Sequence, residues 1–452
     1  MLSLIAYLMI IIFMVLVITK KLTAFNGLIV SSIVAGIAAA LVNGQDISII
    51  FEWIKEGLFV SVDESGEVSL GTINSAIMIL FAILYFSLMM NVGLFDPLCT
   101  YLIRKAKGDP LKILLVTVLT ASVVTLDGDG TTTILIITGA FVPLYKRMGL
   151  KLSYLAMLII MPTTIGNILP WGGPLARASA VINVEVNELF VTFLPVMLIG
   201  FVYCIFLGYF FGIKERKRLG YVAGKTEIVT KEQIEEMCNS ITNTDKEFKR
   251  PKLFIFNLIL TLLMMYALIE GITSGAIIFL IGTAIALIVN YNEKDQKDRL
   301  VENAGDALFV SSIIIAAGAF IGIFTGSGMA DAIANSLISI IPESMGGHLP
   351  IFFAFIGAVA CYALPVDGYY FGILPVVVPI AEGFGITPTE ITMSALMGQA
   401  IRYASPLVPW LFLLIDRTEM TFGDYQKLFF KCAIPLFFIF LISSLLIGLF
   451  PL

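Results

Sequence analysis

The chain has 452 residues, of which 58% are hydrophobic and only 13% charged, with a formal net charge of -5 and a mean hydropathy of +0.97. A soluble domain carries about 25% charged residues, so the composition excludes a soluble globular protein and gives no basis for a nucleic-acid partner. One histidine, His348, and five scattered cysteines without a CxxC exclude a zinc cluster and a histidine-based proton relay.

Taken in chain order, the first apolar run, Leu2 to Thr19, lacks a basic leader and a small-residue cleavage site. It therefore predicts a mature membrane span. Further apolar runs of roughly 17–25 residues each suffice to cross a bilayer of about 30 Å, and they predict an all-α polytopic membrane protein with about ten spanning helices. Gly36 with Ala40 has the small-residue spacing of packed spans. The stretch 44–70 predicts a short interfacial helix around Ile47–Phe59, with Trp53 at headgroup depth. Residues 1–70 thus form the N-terminal spans and interfacial helix.

A first repeat covers 71–213. It holds a re-entrant hairpin, 110–144, whose tip is Asp127-Gly128-Asp129-Gly130-Thr131-Thr132-Thr133, and a broken helix, 152–190, interrupted between Gly166 and Pro174. A charged cytoplasmic connector, 214–252, follows, then linking spans at 253–306. A second repeat, 307–431, carries a hairpin at 350–381 with Pro365-Val366-Asp367-Gly368 at its tip, and a helix at 391–416 broken from Gly398 to Pro406. A last span occupies 432–452.

The hairpin arms, of roughly 13–17 residues, reach about 20–25 Å, short of a full crossing. Prolines remove amide donors and glycines permit unusual dihedrals, so the broken helices unwind and expose carbonyls to a cation and amides to an anion. Matched glycines, prolines and acids (Gly93 and Gly328, Asp96 and Asp331, Pro143 and Pro379, Gly166 and Gly398, Pro174 and Pro406) keep an offset of 232–236 residues. Basic loops containing Lys20, Arg104, Lys146, Lys214, Lys294 and Arg417 predict the cytoplasmic side, and acidic loops around Asp46, Glu185, Glu343 and Glu382 the outer side. Both termini then lie outside. The first repeat is flanked by basic loops and the second by acidic ones, so the two are inverted, an architecture of secondary transporters.

Carboxylates between apolar arms are expensive and usually functional. Asp127, Asp129 and Asp367 are the candidates for cation or proton coupling, with Asp127 and Asp129 as metal ligands because hard divalent cations take oxygen donors. The alternative for the two first-tip acids is capping of a tight turn. Candidate substrate-binding residues are Thr131, Thr132, Asn167, Gly172, Gly173, Arg177, Asp367, Gln399, Arg402 and Ser405. The threonines also suit helix capping. Asn167 and Gln399 suit either a carboxylate with its cation or a tie within unwound backbone. Arg177 and Arg402 can clamp a carboxylate, and Arg177 can instead snorkel or pair with a scaffold acid.

The strings Leu126-Asp127-Gly128-Asp129-Gly130, Pro143-Leu144-Tyr145-Lys146-Arg147, Trp171-Gly172-Gly173-Pro174, Gly326-Ser327-Gly328-Met329 and Ser405-Pro406-Leu407-Val408-Pro409 resemble the metal–citrate/proton symporters, the CitMHS family of the ion-transporter superfamily. The likeness runs nearly full length outside the connector. It implies symport of a citrate-like di- or tricarboxylate with protons or cations, with no permanent cofactor and with Mg2+ or another divalent cation carried with the substrate. It also implies a homodimer in a bacterial-type cytoplasmic membrane, each copy with a fixed scaffold and an elevator-type transport domain. The chain departs from the family at Pro365-Val366, where Ser-Asn is usual, and at Ala400-Ile401-Arg402, where Pro-Val-His is usual. Losing two polar groups and gaining a fixed cation would change substrate preference. The alternatives are a cation/proton antiporter on the same fold and a membrane-embedded magnesium-dependent enzyme. The inverted repeat offers no reason to exist in the latter, so the expectation is no enzymatic activity.

Overall fold

The computed structural model describes residues 1–451 except 63–67, 107, 129, 223–231, 233–234, 236–246 and 339–342. The chain starts with two apolar helices, α1 (Leu2–Ile18) and α2 (Ala24–Val42), and an amphipathic α3 (Ile49–Leu58). α3 covers the stretch expected to form a short helix, and its Trp53 is buried against α13, which lines up beside it. A two-strand antiparallel ribbon, β1 (Val60–Val62) with β2 (Val68–Leu70), is the departure from an all-helical chain. A 20-residue span, α4 (Thr72–Asn91), and a short α5 (Asp96–Ala106) follow.

The first hairpin is α6 (Pro110–Val124), a single 3-10 turn at Thr125–Asp127, and α7 (Gly130–Met148). Gly128 takes φ +80°, a left-handed turn that a side chain would strain. α8 (Leu152–Gly166) and α9 (Gly173–Ile182) are the halves of the first broken helix, and α10 (Val186–Arg218) leads to the connector. α11 (Phe254–Ile269), α12 (Gly275–Asn290) and the 34-residue α13 (Glu293–Gly326) join the halves. α13 passes unbroken through 306/307, where sequence alone divides linking spans from second repeat.

The second half repeats the order: α14 (Met329–Ile338), then α15 (Leu349–Ala363), a π-helical turn at Gly368–Ile373, and α16 (Leu374–Gly383). α17 (Pro388–Leu396), one-turn α18 (Gln399–Arg402) and α19 (Leu411–Arg417) form the second broken helix, and α20 (Phe422–Ile447) ends the chain. Gly93 and Gly328, and Gly149 and Gly385, all have positive φ. The matched punctuation thus performs the same backbone turn in each half.

Packing separates into two groups. α13 packs on α4, α3 and α2, and α12 packs on α4. Small residues allow the closeness: a Cβ on Gly57 would fall 2.1 Å from the Gly318 carbonyl, and one on Gly36 would fall 2.9 Å from Ile323 Cγ2. In the second group α10 packs on α6 and α8, α15 on α17 and α18, and α7 on α8 and α19. Among the described residues, six helices are long and apolar enough to cross a membrane.

The base of the first hairpin is pinned to α10. Asp109 caps α6 by accepting from the Leu111 N–H (3.1 Å) and takes Arg216 bidentately, Nε at 2.8 Å. Burial alone would raise the Asp109 carboxyl, but Arg216, the Leu111 amide and Lys112 outweigh it and hold it below the usual carboxylate range. A depressed pKa gives stability that is complete above the ordinary carboxylate value of about 4 and is lost as pH falls through the folded value. Asp109→Ala is expected to cost about 1–3 kcal/mol at neutral pH, by losing both cap and pair. In thermal unfolding the gap between variant and wild type closes in acid.

Candidate functional site

The first tip is held between two tryptophans. A Cβ on Gly128 would lie 2.9 Å from Trp171 Cδ1, and one on Gly130 would lie 2.6 Å from Trp410 Cζ2. Trp171 belongs to the first break and donates its indole N–H to the Leu126 carbonyl at 2.8 Å. Trp410 precedes α19, beyond the second break, and packs on Tyr403 at 4.7 Å. Trp171 also stacks on Phe86 of α4 at 4.4 Å and meets Phe279 of α12 edge-on. One side chain therefore joins the tip to the first packing group.

A cavity of about 810 Å³ opens beside this tip, within the roughly 300–1,000 Å³ span of small-molecule sites. Gly128, Thr131, Trp171, Gly173 and Trp410 wall one side, and Ser87, Asn91, Glu302, Asn303 and Asp306 the other. The polar residues on the α4 and α13 wall were not among the sequence candidates. Glu302 is partnered by Arg299, one turn earlier on α13.

The second tip meets the first break. Arg177 on α9 donates Nε–H to Asp367 Oδ1 at 2.6 Å and Nη1–H to the Gly173 carbonyl at 2.8 Å. The two charged side chains are 7% and 16% exposed, so the pair is mostly out of water. The break itself is tight: Gly172 N–H donates to the Leu169 carbonyl at 2.7 Å, and a Cβ on Gly172 would fall 2.1 Å from the Asn167 carbonyl oxygen.

The sequence candidates divide. Thr131, Gly173 and, through its neighbours, Gly172 stand at the cavity. Arg177 and Asp367 bind each other. Asn167 is part-exposed at the C-cap of α8. Gln399 is buried and gives its amide to Tyr370 Oη at 2.9 Å, so it ties the second break to the π turn. Arg402 gives Nη1 to the carbonyls of Cys361 (2.8 Å) and Leu364 (2.5 Å), closing the C-terminus of α15. That contact makes Nη1 of Arg402 a support of the second tip. Ser405 is fully buried and accepts from the Leu407 N–H at 3.2 Å, a turn-forming contact. The side chains of Asp127 and Thr132 and the whole of Asp129 lie outside the described residues. Thr133, in the first turn of α7, is fully buried, and its hydroxyl has no partner among the described residues. Among those residues no group of three acidic, histidine or cysteine side chains assembles to hold a metal.

A family model described as "Citrate transporter" matches residues 4–398. The chain belongs to the citrate transporter family. Relatives in Bacillus subtilis (strain 168) include a "Citrate transporter", 38% identical over 99% of both chains, and an "Mg(2+)/citrate complex secondary transporter", 36% identical over 99% of both. The family consists of transporters and not enzymes, and its apolar helices make this chain a multi-pass membrane protein. Solved structures with the same fold include the Alcanivorax borkumensis YdaH transporter (TM-score 0.56, 12% identity, 92% of this chain and 97% of that one). Neisseria gonorrhoeae MtrF also shares the fold (TM-score 0.56, 14% identity, 86% and 94%). The family likeness seen in the motifs therefore holds over most of the chain.

Proposed function

We propose that this chain is a secondary importer of a citrate-like di- or tricarboxylate, taken up with a proton or cation and able to carry a divalent metal on the substrate. The observation that carries this reading is the convergence of both tips on the first broken helix: the first tip against Trp171, with Trp410 on its other side, and the second tip against Arg177. Such a junction supplies both a guanidinium for a carboxylate and unwound backbone for its counter-ion. Ten crossings complete the path: α1, α2, α4, α8–α9, α10, α11, α12, α13, α17–α19 and α20, with the hairpins entering from opposite faces. The group built on α4, α12 and α13 is the scaffold, and the hairpins and broken helices form the moving domain. Trp171, Phe86 and Phe279 form the seam across which it slides. The cavity lies beside the N-terminal half of α13, the half expected to face the cytoplasm, which supports reading this as an inward-open arrangement. A homodimer in a cytoplasmic membrane fits this division of labour.

The test is uptake of radiolabelled citrate, malate and succinate into proteoliposomes, with and without Mg2+ and an imposed pH gradient. Carboxylate uptake that rises with the gradient supports the reading. Cation-driven proton movement with no carboxylate uptake reverses it in favour of an antiporter. Asp127→Asn and Asp129→Asn are each expected to abolish uptake while the protein still reaches the membrane; wild-type rates in both remove those acids from the coupling site.

A further inference from the structure

The pair between Arg177 and Asp367 links the two halves of the chain at the junction that serves as the proposed site. Arg177 stands one helical turn from Gly173, a cavity-wall residue, and holds its carbonyl. Its acidic partner is a carboxylate, the same chemical group that the proposed cargo carries. The surrounding groups on neighbouring elements are already committed. Arg402 caps the carbonyls of Cys361 and Leu364, and Tyr370 receives the Gln399 amide. Asp367 is the one acid bonded to Arg177 among the described residues.

We propose that Asp367 is a resident counter-ion: it occupies Arg177 when the carrier is empty and yields it to a substrate carboxylate. The inference rests on the carboxylate-import reading and adds the reason for coupling. An empty carrier must return its site through the bilayer, and a lone buried guanidinium makes that step costly, whereas a closed pair lowers the cost. Once cargo has taken Arg177, Asp367 is left without its partner. The loaded site then accepts a cation along with the anion, and anion and cation cross together.

The test compares two modes in proteoliposomes with citrate as the probe: net uptake into citrate-free vesicles and exchange into citrate-loaded vesicles. Exchange never requires the empty carrier to cross. Asp367→Asn is expected to lower net uptake by about a hundred-fold, the order set by moving one uncompensated charge through hydrocarbon, while exchange persists. Asp367→Glu is expected to rescue net uptake, since its carboxylate still reaches the guanidinium. If the Asn protein fails to accumulate, the Glu protein carries the test. A ratio of net uptake to exchange matching wild type supports the pair, and a lowered ratio overturns it. An Asn variant that loses both modes equally, or neither, overturns the pair alone. A wild type that exchanges no carboxylate overturns the import reading, and the pair falls with it.

Discussion

Gly172→Ala is expected to lower carboxylate uptake by about a hundred-fold, the scale of loss that accompanies an ångström of misplacement at a working site. The added methyl would meet the Asn167 carbonyl oxygen at 2.1 Å and its carbon at 2.7 Å. Both are backbone atoms of the same tight loop, so no side-chain rotation relieves the contact. The loop opens, and Trp171, one residue earlier, moves with it. Because that indole holds the Leu126 carbonyl and abuts Gly128, the tip shifts away from the cavity. Gly139→Ala is the control: a Cβ there, in the middle of α7, meets nothing within 4 Å. It is expected to keep full uptake and to gain up to about 1 kcal/mol from reduced backbone entropy. Uptake rates read beside thermal unfolding in detergent separate a displaced site from a lost fold.

Arg177→Gln has the second large effect, and it acts on two quantities. A charge-assisted bond to a carboxylate contributes about 1.5–3 kcal/mol, so citrate affinity is expected to weaken about ten- to a hundred-fold. Stability falls as well, by about 3–5 kcal/mol, because a mostly buried Asp367 loses its counter-ion. Arg177→Lys restores charge without the planar fork and recovers only part of either. Titration of binding in detergent and thermal unfolding read the two effects independently. Unchanged affinity in the Gln variant would place cargo elsewhere.

How much of this was legible beforehand depends on which residue types carry the signal. Proline and glycine act through the backbone, so Pro110 at the start of α6, the break between Gly166 and Gly173, and the tip turn at Gly128 could be read directly. The second tip was read as the same kind of turn, yet Gly368 has no positive φ and begins a π-helical turn. A glycine permits a turn without demanding one. The bonds from Arg402 to the carbonyls that end α15 are not legible in sequence, because a carbonyl leaves no mark in the side-chain pattern. The wall acids Glu302 and Asp306 are not singled out by sequence reasoning, because they follow Lys294, Lys297 and Arg299 closely in a mixed-charge stretch. α13 carries them from the surface to the cavity in one unbroken helix. The pairing of Arg177 with Asp367 joins residues 190 apart in sequence. Sequence nominates both residues without pairing them, and the acid it offers Arg177 is one on the scaffold.

The central claim is that the two tips and the two helix breaks enclose one chamber for an anion and its companion cation. A density map of the protein with citrate and Mg2+ at saturating concentration tests it most directly. Ligand density bounded by Gly128, Thr131, Trp171, Gly173 and Trp410, with Arg177 turned from Asp367 toward it, is the expected result. Density away from that chamber, with the Arg177–Asp367 pair intact beside it, would contradict the account.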